Sequence, residues 1–274
     1  MNSTYSPLTA RPRLQGGFSL VELMVAAAIG LLLVAVIGNV YLAGRQSFRD
    51  QDEASRLQES GRFVLNIVSR ALHDTGRTDF GPANTAGVPP VYLVGSADFP
   101  IIPGAAVALD ATDGAGPAPD TITVRCLSAI LGELDCLGNN IHNPAVPPGA
   151  VVNPPVLVTQ RIELNGTDLR CAVLSGAGAG QTQPLASDIE DFQIQLGIDN
   201  NNDGFVDEYA APTTANAAIS RSVSICILVR TADGMAPAAQ QYIDCNGAVV
   251  NAAAGDRRIR RAFTTVISLR NRLG

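Results

Sequence analysis

The stretch Gly16-Gly17-Phe18-Ser19-Leu20-Val21-Glu22-Leu23 opens a run that carries no further charge as far as Gly44. It follows a polar leader whose only charged side chains are Arg11 and Arg13. About 20 apolar residues are enough to span a bilayer as a helix, so residues 18–44 predict a transmembrane helix. Arginines ahead of the apolar run place the N-terminus in the cytoplasm and the bulk of the chain on the other side.

Glu22 is the one charged residue inside this run. A carboxylate at the edge of hydrocarbon is costly, and such groups usually have a partner. The carboxylate has no function in a simple membrane anchor. In a helix that associates with identical helices, it is able to pair with a positive group of the neighbour. Cleavage after Gly17 would create an α-amino group, and the carboxylate would pair with that group on a neighbouring subunit.

The ordered segment Gly17-Phe18-Ser19-Leu20-Val21-Glu22-Leu23-Met24 resembles the type III signal of type IV pilins and type II secretion pseudopilins. The resemblance implies that residues 1–17 are a leader, and that a prepilin peptidase cuts between Gly17 and Phe18 and methylates Phe18. It also implies that Glu22 serves subunit registration and assembly.

Two ordinary signals compete with this interpretation. A secretory signal has an apolar core of about 7–15 residues and a small-residue cleavage site. The run here is longer, and Tyr41-Leu42-Ala43 is a poor cleavage context. A plain signal anchor fits the length, but neither reading explains Gly17-Phe18 together with Glu22.

The helix is predicted to continue beyond the membrane over residues 45–76. Small and apolar residues recur there at spacings of three and four, which is typical of one helix face, at Ala54, Leu57, Gly61, Val64, Val68 and Ala71. Charged residues fill much of the remaining surface, and Gly76 is a stop signal.

Residues 77–274 predict a β-rich globular domain on the far side of the membrane, periplasmic or extracellular. Asn165-Gly166 lies between two alternating segments and predicts a β-hairpin, since both residues tolerate positive φ. Alternating or apolar strand patterns recur at 91–94, 121–126, 189–198, 222–229 and 260–269. The predicted fold class is α+β, with a long N-terminal α-helix packed on an antiparallel β-sheet domain.

The layout resembles the PilW family of minor pilins, which are relatives of the J-type pseudopilins. The resemblance rests on the N-terminal signal and on Asp191-Phe192 leading into Gly197-Ile198-Asp199, on Leu228-Val229-Arg230-Thr231, and on the final segment from Arg260 to Asn271.

This resemblance implies a single-pass inner-membrane precursor that enters the tip or priming complex of a pilus and supports motility or adhesion. The implied partners are other minor and major pilins, the prepilin peptidase and an inner-membrane assembly platform. Two alternatives stay open: a J-type type II secretion pseudopilin, and a membrane-anchored periplasmic binding domain.

One stretch has the order of a calcium loop. Oxygen side chains fall at relative positions 1, 3, 5 and 9 with glycine at 6, as in the first part of an EF-hand. Position 12 is Ala210 instead of glutamate, so a later acid would have to close the site. The predicted calcium ligands are Asp199, Asn201, Asp203, the Phe205 carbonyl, Asp207 and Glu208. The alternative is a solvated turn between two strands.

The five cysteines all follow the apolar run, and none forms a C-x-x-C pair, which makes zinc or thioredoxin chemistry a weak reading. Disulfides are allowed outside the inner membrane. The pairings that close the shortest loops are Cys126–Cys136 and Cys226–Cys245, which leaves Cys171 as a small buried apolar residue.

Composition argues against several functions. The formal net charge is −6, and loss of Arg11 and Arg13 leaves −8, so no basic patch for nucleic acid is indicated. The two histidines, His73 and His142, belong to no catalytic motif. A non-enzymatic, structural protein is predicted, without a cofactor other than calcium.

Overall fold

The computed structural model describes residues 17, 19–77, 108–114, 118–130, 132–142, 151–234, 236 and 238–271, except for the side chains of 129–130 and 151–155. The leader up to residue 16, Phe18 and the strand predicted at 91–94 lie outside the described residues. The chain divides into two compact units, Met1–Arg49 and Asp50–Gly274.

Helix α1 is continuous over Leu20–His73. It contains no proline, so its backbone hydrogen-bond ladder is not interrupted. Gly76 follows its end with φ of 72°, a left-handed conformation that glycine adopts without a steric penalty. The Asn271 side-chain amide donates to the carbonyls of His73 (2.9 Å) and Thr75 (3.1 Å), and so satisfies acceptors that a helix end leaves free.

The predicted apolar face of α1 lies within the second unit and is buried there. Its buried residues are Leu57, Gly61, Val64, Val68, Ala71 and Leu72. Ala54, which was also predicted on this face, is exposed. The face therefore begins at Leu57, one helical turn later than its sequence pattern indicates.

The first sheet is a five-stranded antiparallel meander in which neighbours in sequence are neighbours in space. Its strands are β1 (Leu109–Thr112), β2 (Thr121–Ile130), β3 (Val151–Asn165), β4 (Asp168–Ser175) and β5 (Thr182–Ala186). The predicted hairpin is β3–β4, with Asn165 paired to Asp168. The turn residues are therefore Gly166 and Thr167, and Gly166 alone supplies a positive φ of 63°.

The second sheet has the strand order β11-β8-β6-β7, all antiparallel. Its strands are β6 (Ile189–Ile198), β7 (Glu208–Ala210), β8 (Ser220–Arg230) and β11 (Arg260–Ser268). A short helix α2 (Thr214–Ala218) precedes β8, and a small hairpin of β9 (Gln241–Ile243) and β10 (Val249–Asn251) precedes β11.

Asp120 joins the two sheets immediately before β2 begins. Its backbone N–H donates to Phe192 O (2.8 Å), and its carboxylate accepts from the backbone N–H groups of Ile194 (2.7 Å) and Gly114 (2.8 Å). Burial raises the pKa of Asp120 despite these two hydrogen bonds. This carboxylate occupies the free edge of β6 where β7 does not reach.

One continuous apolar cluster contains the buried face of α1 and the inward faces of both sheets. Its largest fully buried side chains include Phe192, Leu72, Ile122 and Ile225. Helix and sheet are in close contact at Gly61, where an added Cβ would lie 2.6 Å from ring atoms of Phe263 on β11. The α+β fold class, a long N-terminal helix packed on an antiparallel β domain, is confirmed.

The disulfide prediction is half wrong. Cys226–Cys245 is present, with a Cα–Cα distance of 5.5 Å, but Cys136 pairs with Cys171 at 6.4 Å. Cys126 is a free, buried thiol. It lies on β2 opposite Val158 of β3, and burial raises the pKa of its thiol to about 12. Cys136 lies in the connection after β2 and Cys171 lies on β4, so their approach depends on tertiary packing that sequence separation does not reveal.

The close approach at Gly61 predicts a size limit at that position. Gly61→Val should lower the free energy of unfolding by about 1–3 kcal/mol, because overpacking a tight contact costs this much and the gain in helix propensity is only a few tenths. Gly44→Val is the matched control, since a Cβ there would have no described atom within 4 Å apart from the neighbouring backbone of α1 itself; we expect a change of at most about 0.5 kcal/mol. Chemical denaturation of the full chain in detergent would measure both, and equal effects would contradict the packing argument.

The disulfide pairing is testable by proteolysis without reduction. Tryptic fragment 126–161 contains both Cys126 and Cys136, whereas fragment 171–221 begins at Cys171. We expect mass spectrometry to find the two fragments linked, and an alkylating reagent to reach Cys126 only after unfolding. An unlinked 126–161 fragment with an internal disulfide would restore the pairing favoured by loop length.

Candidate functional site

The N-terminal part of α1 is apolar and bare. Its large side chains are exposed, for example Leu20 (77%), Leu31 (72%) and Val34 (68%). By length and composition α1 is able to cross a membrane: its most apolar 18-residue window has a mean hydropathy of 2.8, and none of that window is buried within the chain. A contiguous apolar surface of this size marks a site that another apolar phase or partner covers.

Ser19 is the N-cap of this helix. Its hydroxyl oxygen accepts a hydrogen bond from the Glu22 backbone N–H (3.1 Å), and its carbonyl accepts from Leu23 N (3.2 Å). Serine at the cap with glutamate three residues later is the sequence pattern of a capping box, and the structure shows the hydrogen bond to the serine side chain. Ser19 is not among the predicted site residues, although this S-x-x-E spacing could have identified it.

The Glu22 carboxylate therefore stands in the first turn of α1, surrounded by exposed apolar side chains. The helix N-terminus is a favourable place for a negative charge. Gly17 is exposed just ahead of the cap, and Phe18 lies outside the described residues. Cleavage and methylation at this point stay predictions.

Three segments that carry the PilW resemblance converge on Glu190 at the start of β6. Its carboxylate accepts from Arg230 Nη1 at the end of β8 (3.1 Å) and from Arg260 Nε at the start of β11 (2.5 Å). Arg260 is nearly buried and also pairs with Asp256 (2.5 Å); the hydrogen bond from Arg260 to Glu190 is the main reason that its pKa is raised. This ion-pair cluster fixes the ends of three strands and gives those segments a structural role.

Ser128, His142 and Glu133 meet without forming a nucleophilic triad. The Ser128 hydroxyl donates to Glu133 Oε2 (2.5 Å) and lies 2.8 Å from His142 Nε2. In a triad the histidine stands between serine and acid, whereas here the serine bridges, and both Ser128 and His142 are buried. Arg77 binds the same Glu133 through both carboxylate oxygens (2.5 and 2.7 Å), so the group connects the end of α1 to the loop after β2.

The predicted calcium ligands surround a tight loop after β6 that begins at Asp199. The buried Asp199 carboxylate accepts hydrogen bonds from the backbone N–H of Asp203 (3.1 Å) and Gly204 (2.9 Å), and from Arg221 Nε (2.7 Å). Burial acts to raise the pKa of Asp199, but the hydrogen bonds from Arg221, Gly204 and Asp203 outweigh it and leave the pKa lowered.

The other loop oxygens also have donors within the chain. Asp203 Oδ1 accepts from Phe205 N (2.9 Å), and Asp207 Oδ2 accepts from Asn200 N (2.7 Å). Asn201 donates to the carboxylates of Asp203 (3.2 Å) and Asp207 (3.5 Å), whereas the Phe205 side chain points outward and is 75% exposed.

The loop is therefore satisfied by its own N–H groups and by one guanidinium. Among the residues that the structure describes, the Glu208 carboxylate accepts a hydrogen bond from the Asn200 amide alone (3.1 Å). Across the described residues, no group of three or more His, Cys, Asp or Glu side chains is arranged to hold a metal ion. This arrangement fits a turn closed by Arg221 better than a preformed cation site, and calcium binding stays a prediction.

Comparison with protein families finds two matches. Residues 156–271 match the family described as Type IV Pilus-assembly protein W, and residues 12–38 match the prokaryotic N-terminal methylation motif. No curated protein matches the sequence. Among solved structures, a type IV-like pilin from Thermus thermophilus is similar at 11% identity and a TM-score of 0.45, over 81% of this chain and 96% of that one.

The Arg221 contact yields a test of calcium binding. Arg221→Gln removes the cation beside a buried carboxylate, so we expect a lower thermal midpoint in EDTA. Calcium should raise the midpoint of this variant more than that of the wild type, because the guanidinium no longer competes for Asp199. Arg270→Gln is the control, because Arg270 is exposed and its side chain forms no hydrogen bond or ion pair with the residues that the structure describes. If calcium leaves the Arg221 variant unchanged, the loop is a turn and not a calcium site.

Proposed function

The chain is a type IV pilin-superfamily protein, a minor pilin resembling the PilW family with a role in pilus assembly, and from this premise we propose how its N-terminus works. A prepilin peptidase cleaves between Gly17 and Phe18 and methylates Phe18. The methylation-motif match over residues 12–38 spans this junction and supports the proposal. The capped helix start at Ser19 then lies one residue from the new N-terminus.

The observation that carries the proposal is the bare apolar half of α1. Lipid covers these side chains while the subunit waits in the inner membrane, with its N-terminus in the cytoplasm. Association with other pilin helices covers the same surface in the fibre, so the subunit leaves the bilayer without exposing it to water. The assembly platform supplies the work of extraction.

Glu22 sets the register of this association. Its carboxylate is the one charge among exposed apolar residues, and an unpaired charge in such surroundings costs several kcal/mol. Pairing with the α-amino group of a neighbouring subunit removes the cost at one axial position only. A slipped helix would leave the carboxylate against apolar side chains.

The β domain remains outside and contacts neighbouring subunits or surfaces. We place the subunit in the tip or priming complex, where it supports pilus assembly and through it motility or adhesion. Its partners are the other minor and major pilins. Pilins are structural proteins rather than enzymes, and the buried Ser128–His142 pair supports the same role for this chain.

Glu22→Gln removes the charge but keeps a side chain of nearly the same size, and glutamine also suits the third position of a capping box. We expect the variant to be inserted and cleaved normally but to fall about tenfold or more in the sheared-surface fraction. A charge-assisted hydrogen bond contributes about 1.5–3 kcal/mol, and 1.4 kcal/mol is tenfold. Immunoblots of membrane and sheared fractions measure the ratio.

Glu59→Gln is the matched control, since Glu59 is exposed on the same helix beyond the apolar run. It should behave as the wild type. Equal surface amounts of the Glu22 and Glu59 variants would contradict the proposed register. A wild-type chain that is cleaved but stays in the membrane fraction would instead indicate a secretion pseudopilus.

A further inference from the structure

The second sheet has an outward face with a polar centre. Phe192, Ile194 and Leu196 of β6 point into the core, so the alternate residues Gln193 and Gln195 point outward. The strand register places Gln193 beside Cys226 of β8, which in turn is beside Thr264 of β11. Gln195 lies beside Ser224.

Both ends of this face are covered. At one end the Cys226–Cys245 disulfide ties the segment after β9 to β8. At the other end the Tyr209 ring lies against Gly197, where an added Cβ would be 3.1 Å from Tyr209 Cε1, and the Tyr209 hydroxyl is 3.3 Å from Ser222 Oγ.

A cavity of about 280 Å³ lies between these ends. It is close to the lower end of the usual range for small-ligand pockets, about 300–1,000 Å³. We call it the sheet trough, and the residues that matter here are Asp113, Gln193, Gln195, Tyr209, Ser224 and Thr264.

The floor of the trough has unused hydrogen-bonding capacity. The amide N–H groups of Gln193 donate to Asp191 Oδ1 (2.8 Å) and Ala118 O (3.1 Å), and its side-chain carbonyl oxygen accepts no hydrogen bond from the described residues. The side chains of Gln195, Ser224 and Thr264 form no hydrogen bond with any other part of the chain that the structure describes. Three adjacent strands thus present amide and hydroxyl groups that water or a ligand must satisfy.

The charge of the trough excludes several classes of ligand. Two carboxylates, Asp113 and Asp120, line it, and none of the arginines that the structure describes does; the whole sequence contains no lysine. Phosphates and nucleic acids would therefore meet repulsion without a counter-charge. An apolar ligand would leave the polar floor without hydrogen bonds, which is costly.

We propose that the sheet trough binds a neutral saccharide. Sugar hydroxyls both donate and accept, as do the amides and hydroxyls of the floor, and the Asp113 carboxylate accepts from them. Tyr209 is 45% exposed and offers its ring to the C–H surface of a sugar, since aromatic side chains combine an apolar body with a polar tip. This inference goes beyond pilus assembly, because the trough lies in the Asp50–Gly274 unit and uses no residue of the assembly helix.

The test uses the full mature chain in lauryldimethylamine oxide micelles, because a detergent with a sugar head group would compete. Lactose, maltose and N,N′-diacetylchitobiose are the probes, titrated by calorimetry. We expect at least one to bind with a dissociation constant of about 0.1–10 mM, as suits a shallow site with few hydrogen bonds. Gln195→Ala and Thr264→Val should each weaken that binding about two- to tenfold, the range for one neutral hydrogen bond.

Thr182→Val is the matched control, because Thr182 is an exposed threonine on a strand of the other sheet. It should bind as the wild type does. Thermal melting checks that the three variants are folded to the same extent. Failure of all three probes to bind the wild type would overturn the proposal. So would equal binding by the Gln195, Thr264 and Thr182 variants.

Discussion

An α-helix that is apolar on all sides has no stable place in water, and this constraint organises the molecule. Helix α1 resolves it differently along its length. From Leu57 onward, its apolar face is covered by the chain's own sheets. Before Arg45 nothing in the described chain covers it, and the same residues exclude water only in lipid or against other helices. The role in assembly follows from the N-terminal half of α1, whose apolar surface the described chain leaves uncovered.

The covered half of the helix is fixed by contacts distant in sequence. Phe263 on the last strand lies on Gly61, and Asn271 binds the carbonyls at the end of α1. Both belong to the C-terminal segment, so the last residues of the chain complete the packing of its first element. Asp120 likewise connects the two sheets. Its carboxylate accepts a hydrogen bond from Ile194 N at a position on the edge of β6 that β7 does not reach.

The sequence predicts well what depends on local periodicity. The long helix, its stop at Gly76, the β3–β4 hairpin and strands β2, β6, β8 and β11 follow from repeats of two or three to four residues. Contacts between residues that are distant in sequence do not follow from such repeats. Loop length favours Cys126–Cys136, but Cys126 is held within a buried strand while the turn after β2 carries Cys136 to Cys171 on β4. Arg221 lies 22 residues from Asp199. The spacing within a calcium loop therefore does not predict that a guanidinium binds the carboxylate at the first ligand position. The Ser19 cap, in contrast, could have been predicted from the S-x-x-E spacing.

Whether the apolar half of α1 enters a pilus is measured most directly by identifying the N-terminus of this chain in pili sheared from cells. Trypsin cuts next at Arg45, so the mature chain would yield the peptide Phe18–Arg45. We predict that mass spectrometry finds this peptide in the sheared fraction with one added methyl group on Phe18. A chain that retains Arg11 to Gly17 and stays in the membrane would contradict it, because the apolar half of α1 would then be an anchor and its only cover would be lipid.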